Sequence, residues 1–219
     1  MVTAEVTFSK AELTSLKYPM TLLGVGWDTY EDISEELGDS GRLHVTFDNG
    51  TLTIMPITQL HEWLKSLIDK FVTFAGMHSR VNVVPTGSAT LRSKMKQLGV
   101  EPDLSYFVSK AAVHRIKDYV ADELEMPPDI VVEIDVHNPS EEKLDIYSSL
   151  GVPEFWHYSR KELRMYKLNN GRYEPVANSS ELPLLGGQIL TEFLNRGQTG
   201  EIEQYAILTD FQTWLGKAE

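Results

Sequence analysis

The chain has 219 residues, 42% of them hydrophobic, with 15 Gly and 10 Pro. That is enough for one compact core with decorations, or a domain plus a small lobe. There is no cysteine, which excludes structural disulfides and thiolate metal sites. No apolar run approaches the ~20 residues of a bilayer span, so no membrane partner is expected. The opening M-V-T-A-E-V-T-F-S-K lacks the charged start and long apolar core of a secretory signal, and a cytoplasmic protein is the expectation. A formal net charge of −12 repels nucleic acid at long range and leaves such a partner only a local basic patch.

Residues 1–26 carry little periodicity and read as an N-terminal arm. The acidic run from Thr29 to Leu37 predicts a short helix with Thr29 as N-cap. In L-H-V-T-F-D-N-G-T-L-T-I-M-P, residues 43–56, two alternating apolar runs flank Asn49-Gly50. That pattern predicts a β-hairpin. Leu60, Trp63, Leu64, Leu67, Ile68, Phe71 and Val72 recur at helical spacing, predicting a helix over 58–75 that Gly76 stops. Strands are expected over 81–86, 89–91 and 104–108, and a short helix over 111–118. A buried strand follows at 130–136, then a helix over 141–150 ended by Gly151. Strands at 154–158, 163–168 and 171–176 precede closing helices at 191–197 and 210–217. Strands before and after helices in this order predict a mixed α/β sheet domain.

The chemistry concentrates between Glu101 and Tyr158. Glu133 and Asp135 lie two residues apart and project to one face of a strand otherwise made of Ile130, Val131, Val132, Ile134 and Val136. Carboxylates in so apolar a strand are costly unless they bind a cation or find donors. Asp103, at the start of the 104–108 strand, and Glu133 either supply the pair of oxygen ligands that Mg²⁺ usually takes from a protein, or are an acid of a Pro-Asp turn and a buried carboxylate paired with a lysine or arginine. Asp135 either adds a ligand, holds a water or a lysine, or caps the Asn138-Pro139-Ser140 turn. Lys143, on the helix after the strand, either reaches back to orient a water and stabilise charge at phosphorus or lies on a solvated face. Glu62 is a further acid, with an exposed helix face as the alternative.

His61, His114, His137 and His157 share no metal-ligand spacing, so hydrogen-bonded or exposed histidines are expected. Trp63, Phe155 and Trp156 suit a core or a subunit contact. Arg80, Arg92, Lys94 and Lys96 form the one basic stretch, suited to a phosphate backbone or to a plain surface loop. No glycine-rich phosphate loop, nucleophile elbow or H-E-x-x-H motif is present.

Pro102-Asp103, then Glu133-x-Asp135, then Lys143 on the next helix resembles the PD-(D/E)XK nuclease superfamily. The runs I-V-V-E-I-D-V, K-L-D-I-Y and L-G-V-P-E-F-W-H-Y, with T-Y-E-D, D-N-G-T-L-T-I-M-P and Q-L-H-E earlier, resemble its Uma-two family of restriction-endonuclease-like proteins. The resemblance covers residues 27–194 and leaves 195–219 as a C-terminal helical extension. It implies a restriction-endonuclease-like α/β core: a mixed central sheet flanked by helices, with an N-terminal hairpin. It further implies Mg²⁺-dependent phosphodiester hydrolysis, with Mn²⁺ as a substitute, DNA as partner and a homodimer as the assembly. Carried over by residue, Asp103 and Glu133 are the metal ligands. The superfamily pattern ends in lysine two residues after the glutamate. Asp135 stands there in this chain, which nominates Lys143 as the displaced lysine. A non-catalytic oligomeric binding protein that keeps the fold is the alternative.

Overall fold

The structure is a computed structural model that describes residues 13, 15–37, 43–111, 126–135, 143–159, 161–198 and 202–218. Met1–Thr58 with Arg92–Glu101 form one compact unit, and Gln59–Leu91 with Pro102–Glu219 form another. The first unit holds β1 (Met20–Leu23), α1 (Trp27–Leu37), β2 (Leu43–Asp48) and β3 (Thr51–Pro56). The second begins with α2 (Gln59–Ser79) and β4 (Val84–Pro85). Strand β5 (Leu91–Ser93) leads back into the first unit, which closes with a 3₁₀ turn (Lys94–Lys96) and β6 (Leu98–Val100). The second unit continues with β7 (Leu104–Phe107), β8 (Ile130–Asp135), α3 (Lys143–Leu150), β9 (Glu154–Ser159), β10 (Glu162–Asn169) and β11 (Arg172–Val176). It ends with α4 (Gly187–Gln198) and α5 (Gln204–Leu215).

The first unit is a five-stranded sheet in the order β1-β3-β2-β6-β5. Its hairpin forms where expected, because Asn49 at φ 45° and Gly50 at φ 89° both take the left-handed backbone of a type I′ turn. Alternation then sends Val45, Phe47, Leu52 and Ile54 into a core with Trp27 and Tyr30 of α1. The Tyr30 ring stacks on Phe47 at 4.9 Å between centroids. This packing carries α1 back to Trp27, so Thr29 sits in the first turn rather than before it. Strand β6 was not foreseen. It is three residues long, and Gly99 at its centre leaves room for the Tyr30 ring where a Cβ would collide.

The second unit is a six-stranded sheet, β11-β10-β9-β8-β7-β4. Neighbours run antiparallel except β8 and β9, which are parallel. Helix α2 passes through Gly76 instead of stopping there. A Cβ on Gly76 would lie 2.7 Å from Val83 Cγ2, so the glycine serves close packing. The helix ends at Ser79; Arg80 follows with a left-handed φ of 54°, while Val81 N–H closes onto the Gly76 carbonyl at 2.9 Å.

Leu64, Ile68 and Phe71 of α2 pack on Ile130, Val132 and Ile134 of β8, with Trp156 of β9, in the core of this unit. Phe211 of α5 joins them, 4.3 Å from Phe71 between ring centroids. The other face of β8 carries Val131, Glu133 and Asp135. On that side Tyr147 of α3 meets Phe155 of β9 at 5.3 Å. Phe155 and Trp156 are both buried within the unit, which favours their core reading over a subunit contact. The helix expected over 111–118 lies largely outside the described residues, as do Val136 and residues 141–142. No described helix is long and apolar enough to cross a membrane.

Candidate active site

Strand β8 is buried along its whole length. Glu133 and Asp135 therefore leave water entirely, at 1% and 5% exposure. The antiparallel register that pairs Leu104 with Val132 sets Asp103, one step further, opposite Glu133. Three carboxylates thus stand on one face of two adjacent strands.

Each carboxylate has donors. The Ile134 N–H donates to Asp103 Oδ2 at 2.6 Å. His61 Nε2, from the start of α2, lies 2.9 Å from Asp103 Oδ1, and its Nδ1 lies 3.2 Å from Glu62 Oε1. Only a doubly protonated imidazolium donates from both nitrogens. Burial works to lower the His61 pKa, but Asp103 and Glu62 outweigh it and the net shift is upward.

Lys143 Nζ lies 2.5 Å from Glu133 Oε2, and the Tyr147 hydroxyl donates to Glu133 Oε1. Lys143 and Tyr147 are four residues apart on α3 and so share one helix face. Burial pushes the Glu133 carboxyl above its usual range, Lys143 opposes this and Asp103 adds to it. Burial alone would lower the Lys143 pKa, yet Glu133, Asp103 and Asp135 together hold it above its ordinary range. The lysine therefore stays charged. The Tyr147 phenol is raised by burial first and by Glu133 second, so it remains a donor. Asp135 Oδ2 lies 2.7 Å from His157 Nε2 on β9.

The fold thus gathers Asp103, Glu133, Asp135 and Lys143. Glu62 joins only through His61, and its side chain is half exposed. Three partners went unassigned in the sequence: His61, His157 and Tyr147. Tyr147 was signalled by its i, i+4 spacing from Lys143. His157 was signalled by alternation with Phe155, and His61 by adjacency to Glu62. His61 and His157 are hydrogen-bonded, as expected of them, whereas His114 and His137 lie outside the described residues. The basic stretch does not hold together as one element. Arg80 follows α2 in the second unit, whereas Arg92, Lys94 and Lys96 belong to the first. There Lys94 lies 3.4 Å from Asp28 and 3.7 Å from Glu31.

Burial of an acid does not by itself mark a site. Glu154 of β9 is also buried, but it accepts from Ser179 Oγ at 2.7 Å and from the Ser180 N–H at 2.5 Å. Its work is to tie the 179–181 loop to the sheet. Glu133 differs because its donors are a charged lysine and a phenol, beside two further carboxylates.

The donor set consists of hard oxygens without sulfur, which suits Mg²⁺ or Mn²⁺. Among the described residues, no three His, Cys, Asp or Glu side chains converge as a bound metal would have them. The carboxylates are turned to internal donors, so the fit is one of chemistry.

A mixed sheet with helices on both faces, and with carboxylates on β8 and just before β7, is a restriction-endonuclease-like fold. Residues 27–197 match the Uma2 family, described as putative restriction endonuclease, and the chain belongs to that family. Among solved structures it is similar to a putative nuclease belonging to DUF820 from Anabaena variabilis ATCC 29413. That likeness has a TM-score of 0.53 and 16% identity over 68% of this chain and 90% of that one. No curated protein matches.

Proposed function

We propose that the chain is a metal-dependent endonuclease that hydrolyses phosphodiester bonds in DNA. One observation carries the reading: Asp103, Glu133 and Lys143 meet on one buried sheet face, with Asp135 beside them. Membership of the putative restriction endonuclease family supports it. In this reading Asp103 and Glu133 hold Mg²⁺, for which Mn²⁺ substitutes, and Asp135 assists. The ion, when bound, supplies a Lewis acid for the phosphoryl oxygen and lowers the pKa of water.

The chain's own residues do the rest. His61 and the Ile134 N–H fix Asp103 from two sides. Tyr147 fixes the Glu133 carboxylate, and His157 fixes Asp135. Lys143 brings from α3 the cation that the superfamily pattern places two residues after the glutamate. Its ammonium orients the attacking water and offsets charge that develops on the phosphate.

The test is cleavage of plasmid DNA in Mg²⁺ or Mn²⁺, with chelator as control. Wild type is expected to cut. Asp103→Asn and Glu133→Gln are each expected to lose at least roughly a hundredfold in rate. Cleavage unchanged in both variants sinks the assignment. A second reading, a binding protein that retains the fold without catalysis, is favoured by the charge of −12 and by the internal partners of every site carboxylate. It expects no cleavage by any variant, and partner capture that needs no metal.

A further inference from the structure

The sheet register lays one row of side chains across four strands. Arg164 of β10 stands opposite His157 of β9, and His157 stands opposite Glu133 of β8. One more step along the β7–β8 register adds Asp103. Residues directly opposite in neighbouring strands project to the same face. Arg164 therefore rises from the face that carries the acids, two strand spacings or about 10 Å from Glu133. The adjacent row sets Glu162 opposite Ser159, and Ser159 opposite Asp135.

An anionic substrate meets an unfavourable field in these rows. Asp103, Glu133 and Asp135 are all carboxylates, and the Lys143 ammonium, buried against Glu133, offsets only part of their charge. Arg164 is different, since 62% of its side chain is exposed. Its Nε and Nη2 donate to Glu162 Oε2 at 3.0 and 2.7 Å. Glu162 is itself 54% exposed, and an ion pair so open to water contributes little. Exchange of that carboxylate for a phosphate is therefore cheap, and the guanidinium fork fits a phosphate's two oxygens.

We propose that Arg164 binds the nucleic-acid phosphate next to the one held at Asp103 and Glu133, with Glu162 as its resting partner. The proposal rests on the nuclease reading above. It gives the bound strand a direction, across the sheet from β10 toward β8. It also gives an acidic protein a local cation with which to draw an anion over its carboxylates.

The test is fluorescence anisotropy of a labelled duplex DNA, with Ca²⁺ replacing Mg²⁺, over a series of salt concentrations. Arg164→Gln is expected to weaken binding roughly tenfold and to lower the slope of log K against log salt by about 0.9, one phosphate's worth. Arg164→Lys is expected to keep the slope while losing part of the affinity, because an ammonium has no fork. Glu162→Gln is expected to tighten binding. Mn²⁺ calorimetry is expected to be the same in all three variants, since neither residue touches the site carboxylates. If wild type binds DNA and Arg164→Gln matches it in affinity and slope, the proposal fails and the nuclease reading stands. A wild type that binds no DNA overturns both, and the wild-type arm alone reads that out.

Discussion

The hairpin β2–β3 and the strand β8 are built from similar residues, β-branched and apolar, yet they treat their polar positions in opposite ways. In the hairpin, Val45, Phe47, Leu52 and Ile54 go inward while His44, Thr46, Thr51 and Thr53 keep partial contact with water. No acid is asked to leave solvent. In β8 both faces are covered, and Glu133 and Asp135 go in with the rest. Their desolvation is offset by groups brought from elsewhere in the chain, among them Lys143 and Tyr147 from α3 and His157 from β9. The hairpin therefore asks no distant group to neutralise a buried charge. The β8 region stays together only if distant partners arrive, and selection for stability alone would favour apolar residues there.

That contrast breaks most visibly at Lys143. Lys143→Met leaves Glu133 buried with no cation, and urea unfolding is expected to show a loss of about 3–5 kcal/mol. The double variant Glu133→Gln/Lys143→Met is expected to recover most of it, because neither residue then carries charge. A single-variant loss within the roughly ±0.5 kcal/mol of ordinary surface substitutions would mean that the ion pair is not buried as described.

Tyr147→Phe comes next, at about 2 kcal/mol, the effect of removing one donor from a buried charged acceptor. A double-mutant cycle with Glu133→Gln is expected to return a coupling of at least ~0.5 kcal/mol. Additive effects would detach the phenol from the carboxylate. The hairpin supplies the smallest effect. Ile54→Val is expected to cost about 1 kcal/mol, the loss of one buried methylene, and to leave plasmid cleavage untouched. A change in cleavage would show that the two units are coupled.

The same contrast explains what the sequence disclosed. The hairpin was legible because alternation and Asn49-Gly50 are local signals. The acids of β8 were legible because charge inside a β-branched run is conspicuous. Local signals failed where long-range packing decided the outcome. Gly76 resembles a helix stop, yet it lies inside α2 because Val83 packs against it. Strand β6 is too short to show periodicity and exists because β2 offers it an edge. The partners of the acids were hidden for the same reason. His61 and Asp103 are 42 positions apart in the chain (61 and 103) and meet only once α2 docks on the sheet. His157 faces Asp135 only through the parallel pairing of β8 with β9. Lys143 was visible on its helix, but its burial was not.

The central claim is that Asp103, just before β7, and Glu133 of β8 form a hard-metal site with Asp135 beside them. Its most direct test is calorimetric titration of Mn²⁺ into wild type, Asp103→Asn and Glu133→Gln, with and without duplex DNA. The account predicts a binding site in wild type that weakens at least roughly tenfold in either variant. Identical heats in all three proteins would contradict it.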